Sequence, residues 1–251
     1  MYDDSKDYLK FLLERRVFIN TEKFGSQNPI LDKVVNPDQD WVKIAEDYVT
    51  NRYAVVDNFL LPKYTLRLQE FKLMINLRHQ AYKDYSAITY SNKPHYMWFD
   101  LLNNIVDESK EHFSFLDDKE FERAWSFIYD NESQGVAVHA DSAVTNLNFW
   151  VTPDKCVNHK DGYNGLDIWK IAPPADWKRN DYNGSFEKTA AFVAQHPDTK
   201  VSIEYKFNRL VIFDSMFFHK SQPISCKPGY ENRRINYTFL FQNTGYDVPN
   251  K

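Results

Sequence analysis

The second half of the chain carries a run of short strand-like segments, and this pattern constrains the fold more than any other feature. From about Trp125 onward, the segments are rich in β-branched and aromatic residues and are separated by turn-forming Gly, Asn, Asp and Pro. About seven such strands in about 120 residues are typical of a sandwich, a jelly roll or a barrel rather than of βαβ units. The segments are WSFIYD, GVAVHA, TNLNFWVT, LDIWKI, VSIEYKF, RLVIFD and RINYTFLFQ.

Helical patterns dominate the first half of the chain. Asn36 and Pro37 are residue types that begin a helix, and the apolar residues after them recur at helical spacing. A short strand, RYAVVDNFLLP, is followed by a second amphipathic pattern. A third short helix is expected around DDKEFERAW.

The two halves are expected to form one structural unit. Residues 1–124 would be a helical buttress with the first core strand or strands, and residues 125–251 would be the β core. A polar connection of about thirty residues, 172–200, lies between LDIWKI and VSIEYKF. Connections of this length often serve as lids or binding loops.

Composition and charge exclude several function classes. The chain is 43% hydrophobic and 26% charged with a formal net charge of −4, which is ordinary for a soluble globular protein. No basic run indicates a nucleic-acid partner, and the apolar runs are too short to span a membrane. Two cysteines are too few for a disulfide framework, and the N-terminal segment lacks the apolar core of a secretory signal. A cytoplasmic location is therefore expected.

Three potential metal ligands lie at the ends of apolar segments. His139 and Asp141 form a His-x-Asp triplet, and His219 lies 78 residues beyond Asp141. With this composition, the chance of finding one such triplet by accident is roughly even, so the triplet alone does not indicate a metal site. Two histidines and one carboxylate, however, form the facial arrangement of non-haem Fe(II) oxygenases. This set leaves three adjacent positions open, enough for a keto-acid chelate and O₂.

Two arginines open the last strand. Arg233 and Arg234 lie 14 and 15 residues beyond His219, and a guanidinium binds a carboxylate through a bidentate pair of hydrogen bonds. Because side chains alternate along a strand, Arg234 and Asn236 share one face and Arg233 lies on the other.

The order of these residues resembles that of the 2-oxoglutarate/Fe(II)-dependent dioxygenases. The resemblance covers about residues 50–245 and is greatest to the phytanoyl-type and prolyl-type hydroxylases. It implies a mainly β protein with N-terminal helices and a double-stranded β-helix (jelly roll, cupin-like) catalytic core. It also implies Fe(II) on His139, Asp141 and His219, with 2-oxoglutarate and O₂ as co-substrates. The expected reaction hydroxylates a small molecule or a peptide side chain and releases succinate and CO₂.

Further residues are candidates for the pocket, the arginines and Tyr129 by the same resemblance and the others by their place in the sequence. The family pattern of Arg followed two residues later by a small polar residue favours Arg234 with Asn236 over Arg233, although both lie further from His219 than is usual. Tyr129 matches a position where related hydroxylases have a contacting Tyr, or else it is a core aromatic. Asn148 alternates with Asn146 and would face the barrel mouth. Other candidate pocket walls are Trp169, Trp177, Tyr182 and the segment 93–100.

Two other functions remain open at this point. A cupin-type metalloenzyme would use the same ligands without a keto-acid, and a non-catalytic β-sandwich module would stack its aromatic side chains on sugars. The sequence identifies neither the substrate nor the oligomeric state.

Overall fold

The computed structural model describes residues 33–74, 80–91 and 100–245. Within these residues, helices flank a set of antiparallel strands. The helices are α1 (Trp41–Asn51), α2 (Pro62–Met74), α3 (Asp100–His112), α4 (Arg179–Asn183) and α5 (Phe186–Ala194). The strands are β1 (Tyr53–Val56), β2 (Gln80–Ala81), β3 (Tyr85–Ser91), β4 (Lys119–Tyr129), β5 (Glu132–Ser133), β6 (Thr145–Trp150), β7 (Leu166–Trp169), β8 (Lys200–Ile203), β9 (Leu210–Asp214), β10 (Phe218–Ser221), β11 (Ile224–Ser225) and β12 (Ile235–Asn243).

The strands form two layers. A seven-stranded sheet has the order β1-β9-β6-β12-β4-β3-β2, and its paired strands are antiparallel. Opposite it lie the sheet β10-β7-β8 and the pair β11-β5. Residues of β4, β6 and β9 pack with residues of β7, β8 and β11 in one buried apolar cluster. This arrangement is the predicted jelly roll.

The faces of the large sheet are separated by the alternation of side chains. On β12, Ile235, Tyr237 and Phe239 belong to the core that the sheet shares with helices α1 to α3. Arg234 and Asn236 lie on the opposite face, toward the smaller sheets. Helices therefore support one face of the sheet and leave the other face to form the pocket. None of the described helices is long and apolar enough to cross a membrane.

Two helix predictions are wrong. The segment DDKEFERAW is not a helix, because β4 begins at Lys119 and pairs with both β12 and β3. Its helix-forming charged residues are overridden by burial of Phe121 and Ala124 against neighbouring strands. Helix α1 begins at Trp41, where Asp40 accepts a hydrogen bond from the Lys43 backbone N–H, and not near Pro37.

Other segments differ in detail. GVAVHA forms a single bridge through His139 rather than a strand, and the polar connection 172–200 contains α4 and α5. Helix α3 and strand β3 carried no pattern that predicted them. The division of the chain at residue 125 stays a prediction, and this position lies within β4.

Phe149 tests the core between the sheet and the helices. Its ring is fully buried and stacks on Phe239 at 5.5 Å and on Tyr237 at 5.7 Å. We expect Phe149→Ala to lower the free energy of unfolding by about 3–5 kcal/mol through the cavity it leaves. Urea denaturation followed by circular dichroism measures this. The exposed Val49→Ala should change it by less than about 0.5 kcal/mol, and equal losses would contradict this account of the core.

Asp57 tests an ion pair at the sheet edge. Its carboxylate accepts hydrogen bonds from Arg209 Nε at 2.6 Å and Lys206 Nζ at 2.7 Å, and these partners, Arg209 first, lower its pKa against the opposing effect of burial. The contribution to stability is therefore present above the unfolded-state pKa and is lost as pH falls through the lowered folded-state pKa.

We expect Asp57→Asn to cost about 1 kcal/mol or less at pH 7, since the pair is partly exposed. The difference from the unmodified protein should shrink in urea denaturation at about pH 3. The exposed Asp161→Asn serves as the control, and a difference that grows at low pH would contradict the prediction.

Candidate metal centre

His139, Asp141 and His219 come together at the mouth of the jelly roll. One ligand atom from each lies within 4.8 Å of the others. The Nε2 atoms of His139 and His219 are 3.7 Å and 3.5 Å from the two carboxylate oxygens of Asp141. Ligand atoms that share one ion at adjacent positions lie about 3 Å apart, so small side-chain shifts would let all three bind the same metal.

Backbone hydrogen bonds fix the relative positions of the three ligands. The N–H of His139 donates to the carbonyl of His219 at 3.0 Å, and the N–H of His219 donates back at 2.8 Å. The N–H of Asp141 donates to the carbonyl of Ser215 at 2.9 Å, beside the turn between β9 and β10. The imidazole rings are consequently only 4.3 Å apart between centroids.

Both imidazoles are oriented in the same way. Nδ1 of His139 lies 2.8 Å from the carbonyl oxygen of Ala137, and Nδ1 of His219 lies 2.9 Å from that of Phe217. A carbonyl only accepts, so each Nδ1 carries the proton and each Nε2 keeps its lone pair. Such contacts orient the histidines of metal sites.

The charge states suit metal binding. Burial, together with the nearby imidazole of His219, lowers the pKa of His139 to about 4. Burial alone would raise the pKa of Asp141, but the proximity of His219 and His139 to its carboxylate lowers it to about 2. At neutral pH the centre therefore presents a neutral His139 imidazole and an ionised carboxylate, the forms that bind metal ions.

Two asparagines hold the carboxylate of Asp141. Asn146 Nδ2 donates to Oδ2 at 3.2 Å, and Asn183 Nδ2 lies 3.4 Å from Oδ1 while it donates to the Ala140 carbonyl at 2.6 Å. Asn183 ends α4, so the long polar connection packs on the His-x-Asp segment. The sequence did not predict Asn183, because the residue that it contacts, Asp141, lies 42 residues earlier in the chain and no local pattern marks Asn183.

A row of hydrogen-bonded polar side chains crosses the pocket face of the large sheet. Arg234 Nη1 donates to Asn236 Oδ1 at 2.9 Å, and Arg234 Nε donates to the Asn164 carbonyl at 2.7 Å. Asn236 and Asn148 each donate through Nδ2 to Thr238 Oγ1, at 3.3 Å and 2.9 Å. The predicted cofactor residues Arg234, Asn236 and Asn148 therefore form one network.

Arg234 is a buried cation in an aromatic box. Its side chain is 1% exposed, and its guanidinium carbon lies 5.0 Å from the ring of Tyr129, 5.5 Å from Trp150 and 5.8 Å from Tyr205. Among the residues that the structure describes, no carboxylate forms an ion pair with it. A buried guanidinium without a carboxylate is costly, so this position favours a bound anion.

Arg233 occupies a different environment. Its guanidinium forms an ion pair with Asp130 at 3.2 Å and lies over the ring of Tyr230 at 5.2 Å. The two arginines thus lie on opposite faces of the strand, as the alternation of side chains predicts.

One pocket joins the metal-ligand triad to the polar row. Trp169, Trp177 and Tyr182 instead pack in a separate apolar cluster with Phe218, and most of segment 93–100 lies outside the described residues. The pocket is lined by the triad, by Asn148, Asn236, Thr238, Tyr129 and Ser221, by Asn183 and Phe186 from the long connection, and by Tyr82, Tyr85, Trp125, Phe127, Val136 and Leu166.

Comparison with known proteins bears on the fold. No protein-family model and no curated protein matches the sequence. A prolyl-4-hydroxylase from Pseudomonas putida is 13% identical over 88% of this chain and 100% of its own, with a TM-score of 0.53. HygX from Streptomyces hygroscopicus, solved with nickel and 2-oxoglutarate, is 6% identical over 81% of this chain and 87% of its own, with a TM-score of 0.57.

A third similar structure is that of the epimerase SnoN in complex with Fe³⁺, alpha ketoglutarate and nogalamycin RO. It is 11% identical over 84% of this chain and 91% of its own, with a TM-score of 0.57. These likenesses confirm that the chain has the jelly-roll fold of the 2-oxoglutarate/Fe(II) oxygenases that its sequence resembles.

Asn183→Ala tests the support of Asp141. Loss of the amide removes contacts to Asp141 and Ala140, so we expect the affinity for Co(II), titrated anaerobically and followed by visible absorption, to fall at least tenfold. Asn180→Ala is the matched control, since Asn180 is exposed on the same helix. Equal affinities in the two variants would show that Asn183 does not position the carboxylate.

Proposed function

We propose that this protein is an Fe(II)- and 2-oxoglutarate-dependent oxygenase that hydroxylates a small molecule or a peptide side chain. The observation that carries the proposal is a pocket that contains the His139–Asp141–His219 triad and whose wall includes Asn236, the hydrogen-bond partner of the buried Arg234. The cytoplasmic location expected from the cysteine usage stays a prediction, as does the absence of a nucleic-acid partner.

The donor set fits a divalent iron ion. Two neutral nitrogen donors and one carboxylate suit Fe(II) and leave adjacent positions for other ligands. The Nδ1 contacts of His139 and His219 with backbone carbonyls aim both Nε2 lone pairs toward Asp141. The metal would therefore be held by His139 Nε2, His219 Nε2 and one oxygen of Asp141.

The polar row fits the far carboxylate of 2-oxoglutarate. Arg234 would supply a charge-assisted hydrogen bond to it, and Asn236 holds the guanidinium in place through Oδ1. Tyr129 lies against the same guanidinium, and its hydroxyl is 3.2 Å from Ser221 Oγ, so it would border the same carboxylate. Arg233, with its own carboxylate partner, is the weaker candidate for this role.

Different residues of the chain would have different roles in the reaction. Bound Fe(II) supplies the O₂ chemistry that converts 2-oxoglutarate to succinate and CO₂ and oxidises a C–H bond of the substrate. Asp141, held by Asn146 and Asn183, keeps its negative charge at the centre. Asn148 lines the pocket and is held by the hydrogen bond from its Nδ2 to Thr238 Oγ1, so it would border the keto-acid or the substrate.

Binding of the co-substrate is the direct test. Under anaerobic conditions, Fe(II) and 2-oxoglutarate together should produce a weak visible charge-transfer band, and calorimetry should show 2-oxoglutarate binding. Admission of O₂ should then yield succinate, even by uncoupled turnover. Absence of both the band and the calorimetric signal would refute the proposal.

A pair of neighbouring variants tests which arginine binds 2-oxoglutarate. Arg234→Gln should weaken 2-oxoglutarate binding about 100-fold, since it leaves a desolvated carboxylate unpaired. Arg233→Gln should retain most of the affinity, because Arg233 pairs with Asp130. Calorimetry on metal-loaded protein measures both.

The folded state of both variants is checked by thermal melting. Arg234→Lys is a further test if Arg234→Gln unfolds, because it keeps the charge but loses the planar fork, and about a tenfold loss is expected. A loss confined to Arg233→Gln would reverse the assignment.

A further inference from the structure

We propose, resting on the function above for its position beside the triad, that the pocket binds a small molecule through a flat, uncharged ring. The ring would lie on four aromatic side chains, which we call the aromatic wall. They line the same pocket as the metal ligands and have no part in holding them. The wall consists of Tyr82, Tyr85, Trp125 and Phe127.

The rings of the wall form a continuous surface on β3, β4 and the turn between β2 and β3. Trp125 and Phe127 project from the same face of β4 and stack at 6.0 Å with an interplanar angle of 20°. Phe127 is 6.2 Å from Tyr85, which stacks in turn on Tyr82 at 4.3 Å and 15°. The surface therefore runs from inside the pocket to its rim.

These rings are accessible, whereas the opposite face of β4 is not. Ala124 and Ser126, which alternate with them, are fully buried, but Trp125 and Phe127 are only half-buried. Tyr82 at the rim is 48% exposed. Large aromatic surfaces left uncovered inside a concave pocket are typical of ligand sites rather than of packing.

A further ring enters the pocket from a different element. Phe186, the first residue of α5, lines the pocket and is 49% exposed. It lies three residues beyond Asn183, which contacts the metal-ligand carboxylate. Aromatic surface is therefore offered both by the sheet and by the long connection beside the triad.

The part of the pocket around the aromatic wall offers no charged side chain to a ligand. Apart from the triad, the described lining residues include no Lys, Arg, Asp or Glu. A charged substituent beside the wall would lose hydration without gaining a counter-ion. A flat uncharged ring, in contrast, would gain stacking contacts with Trp125 and Phe127.

Saturation-transfer NMR and calorimetry with three probes test this inference. The probes are indole, indole-3-acetate and hexanamide, titrated into the full chain in the presence of a chelator. We expect indole to bind at least about fivefold more tightly than the anionic ring or the acyclic amide. Trp125→Leu and Phe127→Leu should each weaken indole binding about fivefold.

Trp177→Leu is the matched control, because Trp177 is also a half-buried tryptophan but packs outside the pocket against Phe192 and Phe218. It should leave indole binding unchanged. Equal affinity for indole and indole-3-acetate, or equal losses in the Trp125 and Trp177 variants, would overturn the proposal. Because no metal is required, ring binding without 2-oxoglutarate binding would refute the proposed function alone, and the reverse result would refute the aromatic wall alone.

Discussion

The reciprocal backbone hydrogen bonds between His139 and His219 are the constraint on which the rest of the site depends. They join the segment before β6 to β10, which belongs to the smaller sheet. Because these two hydrogen bonds fix the backbones of both histidines, the imidazoles would need only to rotate to bind a shared ion. Asp141 lies two residues after His139, and the chain then enters β6 of the large sheet. The backbone pairing that joins the two layers here therefore also positions the two histidines of the triad.

The sequence predicted those parts of the structure that local periodicity encodes. The alternation along β12 predicted that Arg234 and Asn236 share one face and that Ile235 and Tyr237 share the other, and the structure agrees. The same rule separated Arg234 from Arg233. These predictions succeed because the pleat of a strand imposes its period regardless of which strands lie beside it.

Local sequence patterns did not predict the elements that depend on long-range pairing. The segment containing Lys119 and Phe121 has helix-forming residues, yet pairing with β3 and β12 makes it a central strand, since context outweighs propensity there. Asn183 is a comparable case at the site. Nothing near it in the sequence marks it, and its contact with Asp141 exists only because α4 folds back over the His-x-Asp segment.

The environment of Arg234 also bears on the two alternative functions. A metalloenzyme without a keto-acid needs the triad, but it has no use for a buried guanidinium boxed by Tyr129 and Trp150. A sugar-binding module needs accessible rings, but it does not need two histidines with their Nε2 atoms directed at one carboxylate. The proposed keto-acid-dependent oxygenase would use the triad, the guanidinium and the aromatic surface together. Under this proposed function, the triad, the buried guanidinium and the aromatic surface would each have a role.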